Sequence, residues 1–493
     1  MKKTLCFILA FSCAFAFGGC TNKKTNTGGT PEIKWYTLGT KQVDQNKVME
    51  KLNSVLEEKY NLKLDFNLVD AGTYNEKMNM VISSGEVFDL CYTSNWTNVF
   101  SNVVMKNGFM AIDEYINGDR KALYEALPDF TWEDTKVNGK IMAVPNYQAF
   151  YRQNSAWVPT KYIEKYNIDT SKIKSIYDME PLLKALKDGE PDISPIMPQD
   201  FAGVSFNSAS LMENVKKYDS VRDVPFLAVD DDYKIYNIYE LPELANEYKL
   251  FREWYQKGYI RSDIVSAVNS KEDDTTALKY GVWLGGNAPS SASDAIQKYG
   301  EPVTIIPLAK PFIGHNIGQA TMTAVSATSK QPNEALKLLE VMFTDKDTFN
   351  LLCYGIEGEH YEKISDKSIK LMDNGEKYNI GGMAWAYGNL FNSYVIEGAD
   401  ENAYAETDEI NRTAEKSKLR GFSVNLTNVA TEVAKVNSVK SEYAYISLGA
   451  EDPEPLLKEF NEKLKTAGID TVKEEIQKQL DEFVKTKNNG EEK

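Results

Sequence analysis

Residues 33–96 read IKWYTLGTKQVDQNKVMEKLNSVLEEKYNLKLDFNLVDAGTYNEKMNMVISSGEVFDLCYTSNW. Apolar residues are continuous or alternate in 33–38, 62–68 and 88–92, as in strands, and recur at helical spacing in 48–60 and 74–82. This order predicts an α/β sheet of parallel strands joined by right-handed helical crossovers. Ligands of such sheets bind beyond the carboxyl ends of the strands, so loops 39–41 and 93–96 are the first candidates for a binding site.

The remainder of the chain predicts a second lobe, because about 474 residues after a leader are too many for one core. An Asn138-Gly139 hairpin leads to a strand that stops at Pro145, where we place a first crossing between lobes. A strand at 303–307 precedes a glycine-spaced stretch, 312–318, where we place the second crossing. We therefore predict lobe 1 from 32–144 plus 315–355, and lobe 2 from 145–314 plus 356–493, including a C-terminal helical extension.

The first 31 residues predict export and anchoring. Lys2 and Lys3 precede an uncharged apolar run, 5–17, which is too short to span a bilayer and fits a cleaved signal peptide at 1–19. The Gly18-Gly19-Cys20 sequence is similar to the lipobox of bacterial lipoproteins, in which the cysteine is acylated, and 20–31 has the composition of a flexible tether. The alternative is an ordinary secretory signal. We expect a protein held on the extracytoplasmic face of the cell membrane through lipid on Cys20.

Composition excludes several classes of function. Without Lys2 and Lys3, the 56 basic residues fall to 54 against 72 acidic ones, a net charge of −18, which disfavours nucleic acid and anionic lipid as partners. Two histidines leave little material for a multi-histidine metal site or a histidine-dependent hydrolase, and we expect neither metal nor cofactor. Cys91 and Cys353 lie in apolar stretches; one bridge is conceivable, but two buried thiols are favoured.

Several segments together resemble family 1 extracellular solute-binding proteins of ABC importers. The broader family is matched by MTAVSATSKQPNEA (322–335) and DTTALKYGVW (274–283), and its LipO-like subgroup by YGIEGEHY (354–361), GFSV (421–424) and LKTAGID (464–470). The resemblance implies a two-lobe, periplasmic-binding-protein-like fold of type II with a multi-segment hinge, and a C-terminal domain of uncharacterised role. It also implies capture of a mono- or oligosaccharide in the cleft and its delivery to membrane permease subunits, by a monomer without enzymatic activity.

The candidate ligand residues follow strand ends or lie in glycine-flanked loops. Tryptophan faces stack on pyranose rings, and amides both donate to and accept from sugar hydroxyls. For each residue the alternative is ordinary packing within its own lobe. The candidates are Ser94, Asn95 and Trp96; Asn146, Tyr147 and Gln148; Asn287 in a glycine-rich loop; Trp385 and Asn389 in a lid from the second lobe; and Lys41.

Two other classes of function stay open from the residues. A glycoside hydrolase needs two carboxylates across the sugar, and abundant Asp and Glu do not exclude such a pair. A binder of peptides or of an acidic sugar is the second alternative. An anionic ligand calls for cations in the cleft, for which Lys41 and Arg152 are the nearest candidates.

Overall fold

A computed structural model of the protein describes residues 29–197, 218–221, 224–270, 279–286, 289 and 291–491. Its α-helices are α1 Gln45–Tyr60, α2 Ala71–Ser84, α3 Phe100–Met105, α4 Asp113–Ile116, α5 Lys121–Glu125, α6 Asp129–Glu133, α7 Thr160–Lys165, α8 Glu180–Gly189, α9 Pro242–Gln256, α10 Ile264–Ser270, α11 Ala292–Tyr299, α12 Pro332–Thr344, α13 Lys346–Tyr354, α14 Ala403–Thr413, α15 Ala430–Glu442, α16 Pro453–Ala467 and α17 Ile469–Glu491. No helix among these residues is both long and apolar enough to cross a membrane.

The strands are mostly short. They are β1 Glu32–Leu38, β2 Lys63–Val69, β3 Leu90–Thr93, β4 Lys136–Val137, β5 Lys140–Ile141, β6 Val144–Pro145, β7 Asn154–Pro159, β8 Ser194–Met197, β9 Tyr218–Ser220, β10 Leu227–Asp230, β11 Ile235–Asn237, β12 Tyr280–Gly286, β13 Val303–Pro307, β14 Phe312–Ile313, β15 Met322–Val325, β16 Tyr361–Lys363, β17 Ser368–Leu371, β18 Val395–Ile396 and β19 Glu415–Lys416.

The first lobe is built on the predicted parallel unit. Its sheet has the order β2-β1-β3-β15-β6, with β1 parallel to both β2 and β3. Val48, Leu52 and Leu56 of α1 are buried at helical spacing, and the helix ends at Asn61 in the left-handed conformation. Strand β15 runs antiparallel between β3 and β6, so a segment from late in the chain completes this sheet.

The second lobe has a sheet of its own in the order β13-β7-β12-β8, with a three-stranded β11-β10-β9 sheet beside it. The C-terminal helices α15, α16 and α17 pack into the core of this lobe. Phe460 of α16 meets Tyr239 with ring centroids 4.6 Å apart, and Gln477 of α17 bonds the backbone of Ile235 and Tyr233. The chain passes between α9 and these helices so closely that a Cβ on Gly449 (φ +73°) would lie 2.3 Å from the carbonyl oxygen of Phe251.

Two separate clusters of buried side chains define the lobes, and they correct the predicted boundaries. Residues up to Tyr151 and from Ile313 to Ala414 belong to the first core, whereas residues 156–308 and those from Leu419 onward belong to the second. The segments 145–151 and 356–414, which we assigned to lobe 2, therefore pack in lobe 1. Aromatic hydroxyls hold the second of them there: Tyr378 donates to the carbonyl of Leu352 (2.7 Å), a residue of α13.

The hinge has three segments within the described chain, and the third lies between Ala414 and Leu419 instead of at the predicted boundary, 355–356. Arg152 and Phe312 exchange both backbone hydrogen bonds (2.7 and 3.0 Å) where the first two segments meet. Strand β19, which we did not expect, pairs in parallel with β14, and Ser417 donates its N–H to the carbonyl of Ile313 (2.7 Å). The second predicted crossing, at 312–318, agrees with β14.

Asp345 caps α13 and ties it to α1. Its carboxylate accepts from the N–H of Thr348 (3.0 Å), from the hydroxyl of Thr348 (2.8 Å) and from the hydroxyl of Tyr60 (2.5 Å). Burial alone would raise the pKa of Asp345, but these hydrogen bonds to the charged form outweigh it and lower the pKa to about 2.

Both internal cysteines are free, buried thiols, as the sequence favoured. Burial raises the pKa of Cys91 and of Cys353 far above the ordinary value of a thiol, so neither is a reactive thiolate at neutral pH.

Candidate functional site

The loop after β3 presents an exposed tryptophan on a fixed backbone. Trp96 is 51% exposed, and its indole N–H donates to the carbonyl of Ala320 (3.0 Å). Ser94 is fully buried; its hydroxyl accepts from the backbone N–H of Trp96 (3.2 Å) and of Thr97 (3.0 Å). Asn95 is half-buried and donates its backbone N–H to the carbonyl of Gln319 (2.9 Å). Ser94 therefore shapes the loop, while Trp96 faces solvent.

The buried ring of Tyr92 separates Trp96 from a second tryptophan, Trp385. The ring of Tyr92 is 6.0 Å from that of Trp96 and 6.0 Å from that of Trp385, in tilted and edge-on geometry. Trp385 is half-buried, and its carbonyl accepts from the hydroxyl of Thr321 (3.1 Å). We call Trp96, Tyr92 and Trp385 the aromatic platform. It lies at the carboxyl end of β3, where the sheet order predicted a ligand.

The Trp385 loop belongs to the first lobe, which corrects its predicted position as a lid from the second. Tyr387 is buried in the first core and donates its hydroxyl to the carbonyl of Leu38 at the end of β1 (2.8 Å). A Cβ on Gly39 (φ +147°) would lie 2.9 Å from that hydroxyl, so this glycine permits the close approach. Lys41 follows in the same loop and is exposed. Loops 39–41, 93–96 and 381–389 are thus held on one lobe.

Asn146 supports the platform from below instead of facing a ligand. It is fully buried, and its amide donates to the hydroxyl of Thr321 (3.0 Å) and the carbonyl of Ala386 (3.2 Å). Its side-chain oxygen accepts from the hydroxyl of Thr323 (3.1 Å). Both the nitrogen and the oxygen of this amide have hydrogen-bond partners within the lobe. Asn146 therefore supports the loop that carries Trp385 instead of making the predicted contact with a sugar.

The residues after Asn146 also turn inward. Tyr147 is buried and donates its hydroxyl to Asp408; burial, reinforced by this carboxylate, raises the pKa of Tyr147. Gln148 is half-buried, and its carbonyl accepts from Asn411 (2.7 Å). Asn389 is half-buried and caps a short turn by accepting from the N–H of Phe391 (3.0 Å). The structure gives Tyr147 and Asn389 internal partners, and Asn287 lies outside the described residues.

The glycines at the end of β12 serve packing within the second lobe. A Cβ on Gly285 would lie 2.2 Å from the indole of Trp157, so Gly285 makes room for that ring. The backbone of the predicted glycine-rich loop is therefore covered at Gly285, whereas a Cβ on Gly286 would meet no atom within 4 Å.

Arg152 is a cation in the first hinge segment. Its backbone pairs with Phe312, and its side chain is half-buried. Burial lowers the pKa of its guanidinium, and no carboxylate of the described residues forms an ion pair with it.

One group among the described residues has metal-ligating types close together: Asp44, Glu359 and His360. Nδ1 of His360 accepts from the N–H of Ile356 (3.0 Å), which assigns the ring proton to Nε2, 3.4 Å from Asp44. Lys47 pairs with Glu359. A protonated Nε2 and a neutralised carboxylate make this an internal hydrogen-bond cluster rather than a set of metal ligands.

Comparisons with known proteins agree with this architecture. Residues 418–485 match the family model "Domain of unknown function (DUF3502)". The chain is 28% identical over 482 residues to a carbohydrate ABC transporter substrate-binding protein of Streptococcus pneumoniae, covering 95% of this chain and 94% of that protein. It is 22% identical over 439 residues to Lipoprotein LipO of Bacillus subtilis, covering 84% and 85%.

The solved structures include an N-glycan transport solute-binding protein, NgtS, of S. pneumoniae. It superposes with a TM-score of 0.80 at 27% identity and covers 93% of this chain and 100% of its own. The two-lobe fold class is thereby confirmed. The homologues of this chain are carbohydrate ABC transporter substrate-binding proteins, which matches the predicted family of solute-binding proteins.

Proposed function

We propose that this protein captures an oligosaccharide in the cleft between its lobes and delivers it to the permease of an ABC importer. The homology to carbohydrate-binding subunits supports the transport role. Because those homologues are binding proteins, we propose a binding protein without enzymatic activity rather than a glycoside hydrolase. NgtS has been solved with Man1GlcNAc and with Man5GlcNAc, so fragments of mannose-rich N-glycans are the first ligands to test.

The observation that carries the proposal is the exposed face of Trp96. A large apolar ring in water is unfavourable unless it has a partner. Its indole is nevertheless held by a hydrogen bond to Ala320 and by the neighbouring ring of Tyr92. A ring that is both exposed and fixed loses little entropy on binding, which suits stacking on a sugar.

Closure of the lobes over the sugar is supported by the hinge and by the superpositions. Three extended segments connect the lobes in the described chain. The TM-score falls from 0.80 for NgtS without a named sugar to 0.71 and 0.68 for its complexes. A different relative position of the lobes in the complexes would produce such a fall. A sugar would shift the equilibrium towards closure by its higher affinity for the closed state.

An acidic sugar is the second candidate ligand. Arg152 favours it, because a half-buried guanidinium at the hinge without an ion pair to any described carboxylate would gain from an anionic partner. Arg152→Gln should then weaken binding of an acidic sugar and leave a neutral sugar unaffected.

The proposal also includes attachment of the protein to the membrane through lipid on Cys20. Cys20 precedes the described residues, and LipO, a relative, is named a lipoprotein. We propose acylation of Cys20, retention on the extracytoplasmic face and action as a monomer. Metabolic labelling with palmitate should mark the wild type and not Cys20→Ala.

The proposal is tested with the protein from Thr21 onward, by thermal shift and calorimetry. The panel contains mannose-GlcNAc oligosaccharides, other neutral oligosaccharides, acidic oligosaccharides and peptides. A ligand at about 100 times its dissociation constant adds about 2.7 kcal/mol of apparent stability. A shift with one sugar class and no product by chromatography supports the proposal. A response to peptides alone would remove the carbohydrate assignment, and release of shorter sugars would remove the binding-protein assignment.

A further inference from the structure

A buried ion pair joins the two lobes close to the hinge. Arg420 follows the third hinge segment, between two residues of the second core, and lies within the residues matched by the domain of unknown function. Its guanidinium reaches the first lobe, where it donates to the carbonyl of Phe130, lies 5.1 Å from the centre of the Phe130 ring and is 3.4 Å from Oδ1 of Asp134. The side chain of Asp134 is only 1% exposed and that of Arg420 is 16% exposed.

The other side of Asp134 holds a turn of the first lobe. Its Oδ2 accepts from the N–H of Gly318 (2.9 Å), and its carbonyl accepts from the amide of Gln319 (2.7 Å). This turn, Ile317–Ala320, is packed so closely that a Cβ on Gly318 would lie 2.8 Å from the carbonyl of Thr131. Both the carboxylate and the backbone carbonyl of Asp134 therefore hold the turn, and the carboxylate holds it at Gly318.

The same turn carries the binding loop. The carbonyl of Gln319 accepts from the N–H of Asn95 (2.9 Å), and the carbonyl of Ala320 accepts from the indole of Trp96 (3.0 Å). A continuous path of direct contacts thus runs from Arg420 through Asp134 and the turn to Trp96. Ion pairs and hydrogen bonds in one network are energetically coupled.

We propose that Arg420 is a positioning residue for sugar binding: it crosses from the second lobe to Asp134 and thereby fixes the turn that orients Trp96. This inference rests on the proposed function, and it gives the segment of unknown function a role at the site. Removing Arg420 takes a cation from the buried carboxylate of Asp134, and the loss of one partner of a buried ion pair is strongly destabilising.

Lys418 offers a matched control two residues away. It pairs with Asp231 at 3.2 Å, but both side chains are more than half exposed and both lie in the second lobe. Exposed pairs of this kind contribute little to stability. Lys418→Gln removes the same unit of charge from the same segment without touching the path to Trp96.

The experiment compares Arg420→Gln, Arg420→Lys, Asp134→Asn, the double variant Arg420→Gln/Asp134→Asn and Lys418→Gln. The protein carries 5-fluorotryptophan, and the ¹⁹F resonance of Trp96 is identified by its absence in Trp96→Phe. Without ligand, Arg420→Gln and Asp134→Asn should move or broaden this resonance, Arg420→Lys should largely restore it, and Lys418→Gln should leave it in place. The dissociation constant for whichever sugar the wild type binds should rise about tenfold in Arg420→Gln, and the double variant should bind no worse.

An unmoved Trp96 resonance together with affinity within twofold of wild type in Arg420→Gln would overturn the inference. If Arg420→Gln does not fold, Arg420→Lys and Asp134→Asn decide the same question, since Asp134→Asn must still move the resonance. A wild type that binds no sugar would refute the proposed function instead, and the ¹⁹F comparison would still decide whether Arg420 is coupled to Trp96.

Discussion

Replacing Trp96 with alanine removes the exposed part of the aromatic platform, and the structure sets the size of the effect. A tryptophan side chain contributes roughly 250 Å² to a contact, and 51% of Trp96 is exposed. About 130 Å² is thus available to a ligand, worth about 3 kcal/mol at roughly 25 cal/mol per Å². A sugar covers one face of the ring, so about half of this is expected, or roughly a tenfold rise in dissociation constant.

The assay is isothermal titration calorimetry with the sugar found in the panel. The control is Tyr177→Ala, which removes an aromatic ring that is 49% exposed and follows Ile176, a residue of the second core. Tyr177→Ala should bind as the wild type does, and both variants should unfold at nearly the wild-type temperature. A folded Trp96→Ala protein with unchanged affinity would refute the assignment of the platform as the sugar-binding surface.

Three further predictions concern stability and reactivity. Because the pKa of Asp345 is lowered in the folded protein, the wild type should be more stable than Asp345→Asn by about 1 to 2 kcal/mol above pH 4, after an allowance for solvent screening. This difference should vanish as the pH falls towards 2. Urea unfolding measures it, and a difference that does not depend on pH would contradict the prediction. Gly449→Ala should lower the free energy of unfolding by roughly 3 kcal/mol, because the new Cβ would collide with the backbone of Phe251. Gly72→Ala places its Cβ in open space and should not destabilise the protein. The midpoints of urea unfolding measure both effects. Cys91 and Cys353 should resist a thiol reagent in the native protein and react in urea, and rapid native labelling would show that they are not buried.

The spacing of apolar residues along the chain predicted the first strands and helices of the first lobe correctly. The period of two in 62–68 and the helical spacing of Val48, Leu52 and Leu56 match β2 and α1, because each element buries one face against its neighbours in sequence. The position of Trp96 could be predicted for the same reason, since it follows a short buried strand in a loop that the Ser94 hydroxyl closes locally. Its contact with a sugar stays a prediction.

The failures concern contacts between distant parts of the chain. Asn146 looked like a ligand residue because it is an uncharged amide after a crossover strand, but its partners Thr321 and Ala386 lie 175 and 240 residues away. No residue near Asn146 in the sequence indicates these two partners. For the same reason the third hinge segment was predicted at the wrong place, since the pairing of β19 with β14 joins residues about a hundred positions apart, and the ion pair of Arg420 with Asp134 was not predicted.

The insertion of β15 between β3 and β6 sets the order in which the first lobe can be completed during synthesis. A chain that is delivered from its amino end cannot close the sheet between β3 and β6 until residues 322–325 have emerged. The core of the second lobe is incomplete until Leu480 has been added to the chain. Contacts this distant in sequence form slowly, so the chain holds an incomplete first sheet, with β3 lacking its partner β15, for most of the time that its amino-terminal half is already present.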